Sequence, residues 1–111
     1  MNFSKETIKG AADLIVLKIL ENHGESYGYQ LIRLIETESD NIFSFKEGTL
    51  YPLLYRMEEH GYVTSTQKTT PSGKMRRYYK ITSDGKQLLK KKTAEWQAFT
   101  QGLENLLQSS L

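Results

Sequence analysis

The chain has 111 residues, the size of one domain with a real core, and a formal net charge of +2 at pH 7. It contains no cysteine, which excludes disulfides, thiolate metal sites and cysteine nucleophiles. No apolar run approaches the roughly 18 residues that a transmembrane helix needs. The first residues, interrupted by Glu6, are not typical of a signal peptide, so a cytoplasmic protein is expected.

The basic charge is concentrated in one part of the chain. Residues 1–67 contain six Lys or Arg against ten Asp or Glu, whereas residues 68–92 contain nine Lys or Arg and one acidic residue, Asp84. A polyanion bound by this segment would release counterions, so its binding would weaken with added salt. The distribution therefore indicates a polyanionic partner, which the small net charge does not.

Residues 4–22 predict a first helix, with Gly24 available for the left-handed residue after its end. Its main apolar stripe consists of Ile8, Ala12, Ile15 and Ile19. Leucines beside this stripe extend the apolar surface around much of the helix. A helix this apolar must be covered on more than one side, which in so small a chain suggests a second subunit.

A second helix is predicted from Tyr27 to about Glu38, with Ser26 as its N-cap. The residues expected to face the core are Leu31, Leu34 and Ile35. Residues 39–41 break this helix, and Ser44–Glu47 has the form of a capping box before a third helix.

The third helix, predicted from Thr49 to Glu59, has two different faces. Leu50, Leu53, Leu54 and Met57 fall on one apolar stripe. Pro52, Tyr55 and Glu59 face away from it. An outward face with hydroxyls and a guanidinium could reach phosphates and base edges in a major groove, although an ordinary amphipathic helix has the same stripe.

After His60 and Gly61 the helical period gives way to alternation, which predicts two facing strands around residues 62–67 and 76–81. Residues 70–74 predict the turn between them. Tyr78 and Tyr79 alternate across the second strand, so one should be buried, but the pattern does not decide which. A basic hairpin after helix, turn and helix predicts a winged helix-turn-helix over residues 1–82, mostly α with a small β-hairpin.

Residues 83–111 predict a long C-terminal dimerisation helix, capped by Thr82 or Ser83. Its late aromatic residues would have little core to cover in a monomer, so pairing with a second chain is favoured. The alternative is a helix folded back on its own domain. The predicted dimer interface, including residues of the first helix, consists of Ile8, Ala12, Ile15, Leu89, Trp96, Phe99, Leu103 and Leu106.

Five parts of the chain carry distinctive residues: Ser26–Leu31, Glu47–Glu58, Gly61–Val63, Arg77–Thr82 and Gly85. Together they resemble the PadR family of bacterial transcription regulators. The resemblance spans about residues 8–90, and the single last helix is similar to that of the small PadR subfamily rather than to members with a long added C-terminal domain. It implies a homodimer held together by its first and last helices, acting mostly as a repressor of nearby genes.

The resemblance also implies that small aromatic or lipophilic compounds relieve repression in some members. In certain small members an aromatic residue on the last helix lines a pore at the dimer centre. Trp96 occupies the corresponding place on its helix, and Phe99 follows it as the second candidate for effector binding. The effector itself does not follow from the resemblance.

We predict DNA contacts on the helices and in the wing. Thr49, Pro52, Tyr55 and Arg56 would approach the major groove, while Tyr29 and Tyr51 would touch phosphates. The wing would offer cations and exposed backbone amides to a minor groove or its phosphates through Lys68, Ser72, Gly73, Lys74, Arg76 and Arg77. The lysines at 90–92 are expected to be solvated charge.

Catalysis has little support in the sequence. His23 and His60 each precede a glycine at a helix end, where a structural role is expected. No paired-carboxylate, metal-ligand or phosphate-loop pattern is recognisable, so neither an enzyme nor a cofactor or metal is expected.

Two other functions remain open. One is a winged-helix protein-interaction adaptor, against which the basic hairpin argues. The other is a drug-binding sensor, which would dimerise and take up ligand but bind DNA only weakly and without sequence preference.

Overall fold

Four helices and one small antiparallel sheet make up residues 3–109, the part of the chain that the computed structural model describes. The elements in chain order are α1 Lys5–His23, β1 Ser26–Tyr27, α2 Gly28–Glu38, α3 Glu47–Glu59, β2 Val63–Thr69, β3 Met75–Ile81 and α4 Ser83–Ser109. The strand order in the sheet is β1-β3-β2. The predicted fold class, a mostly α winged helix-turn-helix with a long last helix, is confirmed.

Helix α1 runs through the centre of the core. The Ser4 Oγ caps its start by accepting a hydrogen bond from the Thr7 amide at 3.2 Å, and Gly24, at φ 76°, ends it. Its buried side chains are Ala12, Val16, Leu17, Ile19 and Leu20. Helices α2, α3 and α4 and strand β3 all contact α1, so much of its wide apolar surface is covered within one chain.

Two predicted helix caps are wrong. Ser26 is not the N-cap of α2, because it pairs with Tyr79 in the sheet and its hydroxyl donates to the Gly24 carbonyl at 3.1 Å. The N-cap is Tyr27. The expected capping box before α3 does not form, because α3 starts after Lys46 and the Ser44 hydroxyl instead donates to Glu36 Oε2 at 3.0 Å.

The predicted hairpin consists of β2 and β3, with Val63 opposite Ile81 and Thr69 opposite Met75. At its turn the Thr70 amide donates to the Lys74 carbonyl at 2.7 Å, and Gly73 takes φ 89°. Tyr79 is the buried tyrosine of β3, and Tyr78 is only half-buried. Burial of the Tyr79 side chain raises the pKa of its phenol above the ordinary value.

Helix α4 has a packed first part and an exposed second part. The Thr82 Oγ1, rather than Ser83, caps its start by accepting from the Gly85 amide at 3.0 Å. Leu89 is buried in the core, and the Trp96 ring lies over Gly10 of α1. Beyond this point the exposed apolar side chains are Phe99, Leu103, Leu106 and Leu107. The first part of α4 therefore packs on its own domain, as the alternative expected, whereas the second part is left uncovered.

Candidate nucleic-acid interface

Helix α3 presents the outward face that its sequence predicts. Leu50, Leu53, Leu54 and Met57 are buried against the core. On the opposite face Pro52 and Glu59 are exposed, and Tyr55 leaves 66% of its surface accessible. Thr49 is also exposed, in the first turn of the helix. A helix exposed in this way has its polar groups free to enter a major groove.

Arg56 lies on the flank of α3 and not on its outward face. Its Nη2 donates to Asp13 Oδ1 of α1 at 3.4 Å. The Arg56 side chain remains more than half exposed, and surface ion pairs of this kind contribute about 0–1 kcal/mol. The structure therefore directs the guanidinium towards α1 through a contact that DNA could displace at small cost.

Tyr51 connects α3 to the start of α2 through a close approach to Gly28. A Cβ added to Gly28 would lie 2.5 Å from Tyr51 Cζ and 2.7 Å from Tyr51 Cε1, so the ring crosses directly over the glycine. Glycine at position 28 is thus required for this packing. Because Tyr29 directly follows Gly28, Tyr29 and Tyr51, the two tyrosines predicted to touch phosphates, lie close together. Tyr29 is 52% exposed.

The cations of the wing differ in the partners that they contact. Lys74 is exposed at the turn, and within residues 3–109 it makes no ion pair. The Arg76 guanidinium lies 5.9 Å from the Tyr27 ring centre, and Arg77 Nη1 donates to the Ser65 hydroxyl at 3.0 Å. Ser72 and Gly73 are exposed beside Lys74, but the Gly73 amide donates to the Thr70 carbonyl at 2.9 Å and is not the free amide that was expected to meet a phosphate.

Lys68 lies near the tip of the wing, opposite Arg76, and is held there by a carboxylate. Its Nζ forms an ion pair with Glu25 and lies 5.5 Å from the Tyr78 ring centre. Of the predicted DNA-binding cations, Lys68 and Arg56 thus each have a carboxylate partner that precedes them by 43 residues. Helical and strand periodicity alone cannot reveal such pairs.

Sequence reasoning missed Arg33, which lies on the exposed face of α2. Its Nη1 donates to the Tyr29 hydroxyl at 3.2 Å, and its guanidinium lies 5.7 Å from the Tyr29 ring centre. The hydrogen bond with Tyr29 raises the pKa of Arg33 above its ordinary value. The spacing of four residues between Tyr29 and Arg33, which places both on one helical face, was the signal that could have found it.

A concave surface, here called the α1–α4 groove, lies between α1 and α4. It has a volume of about 440 Å³ and is lined by Leu14, Thr93, Trp96, Gln97, Thr100, Gln101 and Glu104. The Phe99 ring meets the Trp96 ring edge to face, with centres 5.5 Å apart, but Phe99 does not line the groove. Only one of the two predicted effector-binding residues therefore reaches this space directly.

The chain also matches known proteins. Residues 16–91 match the model of the Transcriptional regulator PadR-like family. The chain belongs to the PadR family. A transcriptional regulator from Clostridium thermocellum has 33% sequence identity and a TM-score of 0.82, with 91% of this chain and 97% of that chain covered. A PadR-like transcriptional regulator from Bacillus cereus has 31% identity and a TM-score of 0.80, with 94% and 98% covered.

A protein relative shows the same extent of similarity. An uncharacterized protein of Lysinibacillus sphaericus is 32% identical over 106 residues, which cover 89% of this chain and 96% of the relative. Membership of the PadR family makes the chain a DNA-binding transcriptional regulator and not an enzyme.

The histidines of this PadR chain have structural partners. His23 Nε2 lies 3.2 Å from Glu38 Oε1, and His60 Nδ1 lies 2.8 Å from the Arg56 carbonyl oxygen. Across the described residues, no group of three or more His, Cys, Asp or Glu side chains is arranged to hold a metal. None of the described helices has the length and apolar character to cross a membrane.

Proposed function

We propose that the chain is a homodimeric repressor that reads a pseudo-palindromic operator and releases it when a small aromatic or lipophilic compound binds near Trp96. The main support is the exposed face of α3, with Pro52 and Tyr55, in a domain that also carries a basic wing. Residues 1–82 would contact DNA, and residues 83–111 would join two copies.

Charge and exposure favour DNA as the partner of the wing. Lys74 and Arg76 are exposed, and neither is paired with a carboxylate among residues 3–109. A cation without a carboxylate partner loses no ion pair when it neutralises a phosphate, so the whole free energy of the new contact favours binding. These two residues are therefore better candidates for phosphate contacts than Lys68, whose ammonium is held by Glu25.

The exposed part of α4 favours a second copy of the chain. Phe99 and Leu103 are 62% and 44% exposed on a helix of 27 residues, and water contact with such side chains is unfavourable. A two-fold dimer would place two α3 helices for half-sites separated by about one helical turn of DNA, roughly 34 Å, or a multiple of it.

Binding to the chain's own promoter tests the proposal. We expect fluorescence anisotropy to show at least about 10³-fold tighter binding to the promoter duplex than to a scrambled one, with a steep dependence on salt. Replacing Lys74 and Arg76 together with glutamine should reduce the salt slope by about 2, since each lost phosphate contact lowers it by about 1.

Replacing Lys90 and Lys91 together with glutamine is the matched control, since both are exposed lysines of α4, the change of two charges is the same, and no DNA contact is predicted for either. An unchanged slope in the double variant of Lys74 and Arg76 would show that the wing is idle. Equal and weak binding of the wild type to both duplexes would favour the adaptor or the drug-binding sensor instead.

Effector control requires a compound to bind the two states of the regulator with different affinity. Trp96 is the single tryptophan of the chain and lines the α1–α4 groove, so its fluorescence reports on binding in this part of the molecule. We expect acridine- or naphthalene-type compounds to quench this fluorescence and to weaken operator binding about tenfold, a typical coupling between two sites.

Trp96→Ala should abolish the effect of these compounds on operator binding while the wild type retains it. Quenching without any change in operator affinity would remove the proposed relief of repression, because binding in the groove would then favour neither state.

A further inference from the structure

A shallow depression on the exposed face of α2, here called the α2 basin, places Tyr29, which is predicted to touch a phosphate, beside Arg33, which has no role in the functions considered so far. It is lined by Tyr27, Tyr29, Gln30, Arg33 and Leu34 and has a volume of about 310 Å³. It is separate from the α1–α4 groove and shares no lining residue with it. Its polar lining residues can donate hydrogen bonds, as the binding of an anion requires.

Hydrogen-bond donors dominate the polar lining of the basin. Arg33 uses one N–H to reach the Tyr29 hydroxyl at 3.2 Å, which leaves further N–H groups of its fork, and Tyr29 keeps its own hydrogen to donate. Gln30 Oε1 already accepts from the Tyr27 amide at 3.0 Å, so the side chain has its NH₂ group left to offer. A charged fork beside neutral donors suits phosphate geometry.

The surroundings of the basin connect it to both predicted DNA-binding elements. The Tyr27 ring meets the Tyr78 ring of β3 at 5.3 Å between centres, and the guanidinium of Arg76 in the wing lies 5.9 Å from the centre of the Tyr27 ring. Towards α3, the Tyr51 ring crosses Gly28 directly beside Tyr29. A strand of nucleic acid that passes from the wing to α3 would therefore pass the basin.

One carboxylate acts against an anion here. Glu36 lies one turn beyond Arg33 and attracts its guanidinium, but Glu36 Oε2 accepts a hydrogen bond from the Ser44 hydroxyl at 3.0 Å. Among the side chains that the structure describes, Arg33 forms no ion pair with Glu36 or any other carboxylate. Its charge thus remains available to a ligand.

We propose that the α2 basin binds a backbone phosphate of the operator strand that runs between the wing and α3. Arg33 supplies the charge, and Tyr29 and Gln30 supply neutral donors. The inference rests on the proposed operator binding. A phosphate contact carries no base information, so the basin sets the position of α2 on DNA without choosing the sequence.

Arg33→Gln tests the basin, measured by anisotropy on promoter and scrambled duplexes over a range of salt. We expect the salt slope to fall by about 1 and the affinity for both duplexes to fall by the same factor, about tenfold at low salt. Arg33→Lys should keep the slope but lose part of the affinity, since the planar fork is lost. Circular dichroism checks that each variant is folded.

Lys91→Gln, with the same charge change on α4, should leave slope and affinity unchanged. If the wild type binds its promoter specifically and Arg33→Gln behaves like Lys91→Gln, the inference is wrong and the proposed function stands. A loss of affinity for the promoter duplex but not for the scrambled duplex would assign Arg33 to a base contact and also overturn the inference. If the wild type does not distinguish the two duplexes, both the proposed function and the inference fail.

Free phosphate is the other source of the same chemistry. A titration of the protein with inorganic phosphate, in the absence of DNA, tests this alternative. The NMR chemical shifts of the basin residues report the binding. Shifts that depend on Arg33, together with an unchanged DNA salt slope in Arg33→Gln, would assign the basin to a free phosphate and overturn the contact with DNA.

Discussion

Replacing Gly85 with alanine is expected to destabilise the protein by about 2 kcal/mol, although alanine favours a helix over glycine by about 1 kcal/mol. Gly85 lies in the first turn of α4, where a Cβ would stand 2.8 Å from Ile81 Cγ1 and closer still to the Tyr62 carbonyl oxygen. The Tyr62 backbone cannot rotate away as a flexible side chain would. Overpacking therefore outweighs helix propensity at this position.

Gly102→Ala provides the matched control in the same helix. Apart from its chain neighbours and the nearby backbone of α4, no atom of the described residues lies within 4 Å of a Cβ added at Gly102. Within one chain only helix propensity therefore acts, and stability should rise by up to about 1 kcal/mol. Urea unfolding followed by circular dichroism, at one fixed protein concentration, measures both changes. Equal stabilisation by the two substitutions would contradict the close approach of Gly85 to Tyr62.

Replacing Leu103 with glutamate is expected to convert a dimer into monomers and to weaken operator binding at least about 100-fold. Leu103 belongs to the exposed apolar side of α4, and a charge introduced there would have to be buried without a partner at the proposed interface. A monomer holds one half-site and loses the gain from linked binding, which is typically about 10²–10⁴-fold.

Ala98→Glu is the control for the dimer prediction. Ala98 is exposed, lies five residues before Leu103 and so projects about 140° around the helix from it. Sedimentation velocity measures the mass of each variant, and anisotropy on the promoter measures its affinity. A Leu103→Glu protein that remains dimeric and binds the operator normally would rule out this face of α4 as the interface.

Helix α3 illustrates what could be predicted from the sequence. Its four buried side chains recur at helical spacing, so the periodicity alone showed which face packs and which is exposed. The turn of the wing was equally predictable, because Pro71 fixes its own φ and Gly73 permits a positive φ. Each of these predictions depends on residues that are near neighbours in the chain.

Strand β1 illustrates what could not be predicted. Two residues, Ser26 and Tyr27, carry no periodicity of their own, and they are a strand only because β3 lies beside them. Because Ser26 pairs with β3, it is not the N-cap of α2, although serine is a favourable N-cap residue. Local preference was overridden by a hydrogen-bonded partner distant in the chain.

The sequence by itself determined the order of the four helices and the hairpin, the outward face of α3 and the basic character of the wing, because periodicity, turn chemistry and charge are properties of neighbouring residues. The tertiary structure alone decided that Tyr79 is the buried tyrosine and that carboxylates hold Lys68 and Arg56. It also brought the α2 basin close to the wing. These outcomes depend on contacts between residues far apart in the chain, which only packing brings together.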